Sequence, residues 1–192
     1  MNHYNIIAIM GKAGSGKDLL CRTLLKEPEF EDAVPIISCT TRPIRDNECT
    51  GINYHFLTVD EFTEQVLSGD IIEATMFNNW FYGTSTNNLN SEKLNIGVFN
   101  PEAISILRNN ENINLTVIYV EADDKDRLLR QLNREDNPDC HEIIRRFGTD
   151  EIDFAEEIID HVSPDLFILN NNGADIHQIA KTIAQLWAQG QI

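Results

Sequence analysis

A short apolar run, Ile6, Ile7, Ala8, Ile9 and Met10, leads directly into Gly11-Lys-Ala-Gly-Ser-Gly-Lys17-Asp18, and Leu19, Leu20, Thr23, Leu24 and Leu25 follow at helical spacing. A β-branched strand that hands over to a helix through glycines leaves the chain few architectures to adopt. The glycines let the backbone bend so that several N–H groups converge on one anion. The helix N-terminus adds its partial positive charge, and the lysine reaches the outer phosphates of a nucleotide. The predicted ATP cradle is Gly11, Lys12, Ala13, Gly14, Ser15, Gly16, Lys17 and Asp18. A Ser or Thr hydroxyl normally follows the lysine to hold Mg2+, and here that place is taken by Asp18.

Further apolar, β-rich runs at residues 36–40, 94–99, 115–120 and 166–169 alternate with helical patterns. This alternation predicts an α/β fold, a P-loop NTPase-type parallel sheet flanked by helices. Several helix ends are legible. Asn100-Pro101 supplies an N-cap and a first-turn proline, Asp139 with Glu142 starts another helix in the manner of a capping box, and Asp175 precedes a last helix that Gly190 closes.

With 192 residues and 42% hydrophobic content, the chain can bury one sizeable core. Its 31 acidic residues against 15 basic ones, a net charge of −16, argue against a general nucleic-acid or anionic-membrane binder. A nucleotide must then be held by arginines and lysines concentrated locally. No basic, apolar N-terminal leader and no apolar stretch of about 20 residues is present, so a cytoplasmic protein is the expectation. Cys21, Cys39, Cys49 and Cys140 lack paired spacing, and the histidines lie far apart, so reduced cysteines without a metal are expected.

Two stretches break the alternation. Residues 38–89 are too long for one crossover, yet they contain a capped helix at 60–68 ended by Gly69, which reads as an inserted substrate-binding lobe between core segments 1–37 and 90–192. Residues 123–153 concentrate Arg127, Arg130, Arg134, Arg145 and Arg146 around the turn at 135–138. In an acidic chain this reads either as a helical lid over phosphates or as a solvated face of Asp/Glu–Arg pairs.

The sequence resembles guanylate kinases through Ser38-Cys-Thr-Thr-Arg42-Pro-Ile-Arg45, Glu48, Gly51, Tyr54, Glu73 and Tyr82-Gly-Thr84-Ser85. The resemblance runs over nearly the whole chain and implies a nucleoside monophosphate (NMP) kinase that moves the ATP γ-phosphoryl group to GMP or dGMP with Mg2+. It makes the 38–89 lobe the GMP-binding one. Forked guanidinium groups bind a dianionic phosphate bidentately and tyrosine hydroxyls orient it, which suits Arg42, Arg45, Tyr54 and Tyr82. Guanine offers an N1–H and an amine as donors and O6 as acceptor, so Glu73 would take the donors while Ser38 and Thr84 face O6. Ordinary turn hydroxyls are the plain alternative for Ser38 and Thr84. The resemblance extends to Arg134 and Arg146 as contacts to the transferring phosphates, and to Asn170 beside the ATP base. Lys17, Arg42, Arg134 and Arg146 are thus the catalytic candidates.

The pattern fails at one strand end. Where guanylate kinases carry Asp residues, this chain reads Gly97 and Phe99. Asp18 could restore a carboxylate near Mg2+, directly or through water, or could simply sit at a helix N-terminus where acids are favourable. With the second carboxylate gone, the guanine amine is left to Glu73, with Asn100 as a neutral substitute. Relatives of the function remain open: a deoxynucleotide kinase of relaxed base choice, a ribose bisphosphate kinase, or a binding module that has lost catalysis. The partners implied are small nucleotides, with no nucleic acid and no membrane.

Overall fold

The central apolar runs are buried on both faces, a pattern that suits parallel strands covered by helices, while the edge run at 166–169 leaves Phe167 and Leu169 exposed. The structure, a computed structural model, describes residues 3–46, 48–134 and 136–192; Glu135, the first residue of the turn expected at 135–138, lies outside them, as do Met1, Asn2 and Asn47. In chain order the elements are β1 (Tyr4–Met10), α1 (Lys17–Leu24), β2 (Val34–Pro35), β3 (Cys39–Thr40), β4 (His55–Phe56), α2 (Val59–Ser68), β5 (Ile71–Phe77) and β6 (Trp80–Ser85). There follow β7 (Leu94–Val98), α3 (Pro101–Arg108), β8 (Ile113–Glu121), α4 (Asp124–Leu132), α5 (Cys140–Asp153), α6 (Glu156–Val162), β9 (Leu166–Leu169) and α7 (Ile176–Ala188).

Five strands form a parallel sheet in the order β2-β7-β1-β8-β9. β1 lies at its centre, which is why Ile6 through Met10 are almost wholly buried. One face of β1, with Ile7 and Ile9, packs against α1 and α7; the other, with Ile6, Ala8 and Met10, packs against α3 and α6. The C-terminal end of β1 therefore delivers the Gly-rich loop to the rim of the sheet, where α/β folds hold ligands.

The run expected as one strand at 36–40 is divided. Val34 and Pro35 sit at the sheet edge beside β7, the one place where a proline that cannot donate is tolerated. The Ile36 N–H still bonds to Ile96 O at 2.8 Å, and the chain then crosses to a second sheet, where Cys39 and Thr40 pair with His55 and Phe56 and with Gly83 and Tyr82. Ile36 and Ile37 before Ser38 and Cys39 after it keep the stretch largely apolar, so periodicity alone did not mark the crossover. The second sheet, β4-β3-β6-β5, is covered by α2 and has a small core of Cys39, Phe62 and Ile71 with Leu57, Ala74 and Phe81.

Helix boundaries follow side-chain chemistry. Thr58 and Glu61 form a reciprocal capping box at α2, one residue ahead of the expected start, and Gly69 ends the helix with φ of 80°. Asn100 caps α3 by accepting from Ala103 N, and Asp175 caps α7 by accepting from His177 N and Gln178 N. At α5 only half of the expected box forms: Asp139 accepts from Glu142 N, while the Glu142 carboxylate turns to Arg145 and Arg146. The four cysteines are free. Among the described residues no helix is long and apolar enough to cross a membrane.

Candidate functional site

The Gly-rich loop is held from behind. Gly14 and Gly16 adopt φ of 81° and 96°, the left-handed region that glycine alone enters freely. A Cβ on Gly14 would lie 2.6 Å from Arg127 O, and one on Gly16 would collide with the Asn170 side chain. These close approaches arise because side chains from α4 and the end of β9 tie down the loop's carbonyls. Arg127 Nε donates to Ala13 O at 3.1 Å and Gln131 Nε2 to the same oxygen at 3.4 Å. Arg130 Nη1 donates to Gly14 O and Ser15 O, and Asn170 Nδ2 to Ser15 O at 2.8 Å.

With the carbonyls engaged, the N–H side is what the loop presents. Among the described residues the N–H groups of Gly14, Gly16, Lys17 and Asp18 find no protein acceptor, whereas Ser15 N bonds to Lys12 O. Ser15 Oγ is fully buried and has no hydrogen-bond partner among the described residues. Convergent unpaired donors at a helix N-terminus are an arrangement that suits an anion. The lysine belongs to the same turn: Lys17 Nζ stands 3.7 Å from Asp18 Oδ2.

One loop amide is already spoken for. Ala13 N donates to Asp150 Oδ2 at 2.8 Å, and the same oxygen receives Arg127 Nη2 at 2.5 Å. Arg127 is 1% exposed, bonds Asp124 as well, and stacks over Phe147 with 4.4 Å to the ring centre. The side chain of Lys12, a residue expected among the ligand contacts, pairs with Glu151 at 2.7 Å. The arginine cluster expected as a single lid is thus divided in two. Arg127 and Arg130 are buttresses of the loop, while Arg134 is exposed at the end of α4 and Arg146, on α5, pairs with Glu142 at 2.8 Å.

The small sheet carries the second group of candidates. Arg42 is 5% exposed; its Nη2 donates to both Glu48 oxygens at 2.7 and 2.9 Å, and its Nη1 donates to Pro43 O. The guanidinium lies 5.5 Å from the Tyr54 ring centre and 5.6 Å from that of Phe56. Tyr54 packs edge-on to Tyr82 at 5.9 Å, and burial raises its hydroxyl above the ordinary tyrosine value. Arg45 stays exposed and offers its backbone N–H to Glu48.

Deeper in the lobe, Glu73 and Thr84 face each other across β5 and β6. Thr84 Oγ1 donates to Glu73 Oε1 at 2.8 Å; burial pushes the Glu73 carboxyl up to about 7, against the opposing effect of that hydrogen bond. Ser38 is half-buried at the crossover and accepts His55 N–H on its carbonyl. Asn100 is not available to a ligand in the way its sequence position suggested: its Oδ1 caps α3 and its Nδ2 donates to Thr75 Oγ1 at 3.2 Å. Phe99 is buried in the core, and a Cβ on Gly97 would lie 2.8 Å from Ile36 Cβ and 3.1 Å from the Phe99 ring. An apolar plug therefore stands at the end of β7 where carboxylates were looked for.

A guanylate kinase family model matches residues 3–186. The chain belongs to the guanylate kinase family. The guanylate kinase of Campylobacter jejuni is 31% identical over 132 residues, 66% of this chain and 63% of that protein. That of Sulfurimonas denitrificans is 27% identical over 190 residues, covering 95% of this chain and 87% of its own length. The Clostridium perfringens enzyme is 41% identical, but only over 80 residues, so the match spans 36% of that relative. The crystal structure of guanylate kinase from Anaplasma phagocytophilum superposes with a TM-score of 0.65 at 21% identity, covering 100% of this chain and 88% of that one, and so shares its fold.

Sequence reasoning overlooked the buttresses that brace the cradle in this member of the guanylate kinase family. Arg127, Arg130 and Gln131 stand at i, i+3 and i+4, a spacing that puts them on one face of α4 and could have flagged a helix turned toward the loop. Asp150 carried no such signal.

Proposed function

We propose that the protein transfers the γ-phosphoryl group of ATP to GMP or dGMP. The observation that carries this reading is the pairing of two sites of opposite character: a loop whose carbonyls are tied back and whose N–H groups are presented, and a buried Arg42–Tyr54–Tyr82 face with the Glu73–Thr84 pair behind it. Family membership supports the same chemistry.

Phosphoryl transfer asks for little covalent chemistry from the protein; it needs in-line placement of donor and acceptor and neutralisation of the charge on the transferring group. In this reading Lys17 and the loop amides hold the donor phosphates. Arg42, Arg45, Tyr54 and Tyr82 hold the acceptor phosphate, with Arg42 exchanging part of its Glu48 pairing for the incoming dianion. Ionised Glu73 accepts from the guanine N1–H and amine. Ser38 and Thr84 serve O6. Arg134 and Arg146 close over the transferring group and exclude water. The acceptor oxygen is already anionic, so no general base is assigned. Residues 38–89 act as the acceptor lobe and 123–153 as the lid.

Mg2+ would be held by Asp18 together with the donor phosphates. No cluster of three or more His, Cys, Asp or Glu side chains suited to a metal occurs among the described residues. A single exposed carboxylate fits, because Mg2+ keeps several waters and takes one or two carboxylates alongside phosphate oxygens. The ion would supply charge neutralisation on the donor phosphates. Asp18→Asn is expected to raise the Mg2+ concentration needed for half-maximal rate and to lower kcat, leaving acceptor KM unchanged; an unchanged Mg2+ titration would assign Asp18 to the helix N-terminus alone.

The apolar plug of Gly97, Phe99 and Ile36 and the committed Asn100 side chain favour a second, related reading, a kinase that discriminates weakly against purines lacking the 2-amino group. A coupled ADP-release assay over GMP, dGMP, IMP and AMP tests both. Turnover of GMP well above IMP supports strict guanine selection, near-equal rates support the relaxed form, and no turnover with any acceptor defeats the kinase assignment.

A further inference from the structure

The lid helix α5 is tied at two places to two different parts of the molecule. Its C-terminal half reaches the Gly-rich loop through Asp150 and Glu151. Its N-terminal half reaches the tip of the β5–β6 hairpin, where the Arg145 guanidinium lies 5.2 Å from the centre of the Phe77 ring. Phe77 and Arg145 both line a cavity of about 810 Å³, together with Asn100, Glu102, Asp153 and His161.

Phe77 is also continuous with the base-reading candidates. Residues two apart on a strand share a face, so Glu73, Thr75 and Phe77 stand in a row along one side of β5. From Phe77 an unbroken set of contacts leads to Arg146. Arg145 Nε and Nη2 donate to the two oxygens of Glu142 at 2.7 and 2.9 Å, and Arg146 Nε donates to one of the same oxygens at 2.8 Å. A carboxylate that holds two guanidinium groups fixes each relative to the other, and a bidentate fork is the more specific of the two contacts. Moving Arg145 therefore moves Glu142, and with it the orientation of Arg146.

We propose that Phe77 is a positioning residue: by docking Arg145 it sets Glu142 and through it Arg146, so that the lid arginine is aimed only when α5 is in register with the strand that carries Glu73. This rests on the reading of Arg146 as a contact to the transferring phosphate. In this proposal Phe77 acts through Arg145 and not through a nucleotide. The contact makes the lid's arrangement depend on the acceptor lobe while the other half of α5 depends on the donor loop.

The test uses Phe77→Leu, which keeps an apolar side chain and loses the ring, and Phe77→Trp, which keeps a ring of stronger cation–π character. In the nucleotide-free protein, Phe77→Leu should speed hydrogen exchange in residues 140–147 and leave 150–153 and the Gly-rich loop unchanged, with Phe77→Trp resembling wild type. In turnover, Phe77→Leu should lower kcat roughly tenfold without changing KM for ATP, a size expected from losing one cation–π contact that acts in the transition state. Arg145→Met should do the same, and the double variant no more than either single one. Unchanged exchange at 140–147 in Phe77→Leu, or Phe77→Trp as impaired as Phe77→Leu, would overturn the proposal. Absence of turnover in the wild type would defeat the kinase reading instead, and the exchange measurement would then decide the contact alone.

Discussion

The two candidate sites are built on opposite principles. The Gly-rich loop stands on a sheet whose central strand is buried on both faces, and its shape is enforced by side chains from distant segments that bind carbonyl oxygens. The lobe has only a small apolar cluster, and much of its interior is polar: Thr40, Arg42, Glu73, Thr75 and Thr84 are all buried. Buried polar groups stabilise little unless every partner is present, so the lobe gives up packing energy to hold chemistry. In the proposed function a donor cradle can be rigid because every ATP offers it the same phosphates, whereas an acceptor lobe would exchange internal partners, such as Glu48 on Arg42 and Thr84 on Glu73, for those of a ligand.

The contrast is most directly broken at Arg127. Arg127→Met leaves Asp150 buried without its charge partner and frees the Ala13 carbonyl, and breaking such a pair should cost about 3–5 kcal/mol, read as a fall in denaturation midpoint. If Arg127 were a lid arginine instead, Arg127→Met would keep wild-type stability and lose only activity. Next in size is Lys17→Met, which should lower kcat by roughly 10²–10³ through loss of one preorganised cation at the donor phosphates, with the fold and GMP binding retained. Weak GMP binding in that variant would indicate that the two sites are not separate.

The lobe's polar interior makes a pH prediction. Glu73 titrates near about 7 in the folded chain because burial penalises its charge, above its ordinary value of 4.5. The folded state therefore binds a proton that the unfolded chain has lost, and the resulting stability is fully present below the unfolded value and fades as pH rises through about 7. Thermal midpoint should fall between pH 5 and pH 8, and Glu73→Gln should flatten that slope. If the ionised carboxylate accepts the guanine donors as proposed, KM for GMP should fall over the same interval, and Glu73→Gln should abolish this dependence too. A pH-independent KM in the wild type would remove Glu73 from base recognition. Smallest in effect, Thr58→Ala removes the capping box of α2 and should cost about 1 kcal/mol without touching the rate. A large activity loss would mean that α2 does more than cover the sheet.

Glu142 marks the opposite electrostatic case. Hydrogen bonds from Arg145, and then from Arg146, hold its carboxyl down to about 2 despite partial desolvation. Arg145 and Arg146 thus keep an ionised partner throughout the pH range in which Glu73 changes state.

Much of this arrangement could be read from local sequence. Strand-to-helix handover at the Gly-rich loop, the caps Asn100 and Asp175, and the alternation of apolar runs all depend on residues a few positions apart. The run at 36–40 misled because its hydrophobicity serves two sheets in succession, Ile36 on one and Cys39 on the other. Asn100 was legible as a cap, but the tie of its Nδ2 to Thr75 Oγ1 was not. The arginine-rich stretch did not announce its division, since the arginines that bind the loop's carbonyls and those that do not are alike in local sequence and differ in which way their side chains face.

By itself the sequence determined the loop's backbone freedom, the parallel α/β plan and membership of the guanylate kinase family, because glycine positions, apolar period and motif spacing are properties of neighbouring residues. Tertiary structure alone decided which arginines became braces, why Glu73 holds its proton to about 7, and how Phe77 meets Arg145. Those outcomes depend on desolvation and on contacts such as Asp150 with Ala13, 137 residues apart, or Asn170 with Ser15, 155 apart. Local pattern carries no record of such separations, and only the packed chain brings the groups within hydrogen-bonding reach.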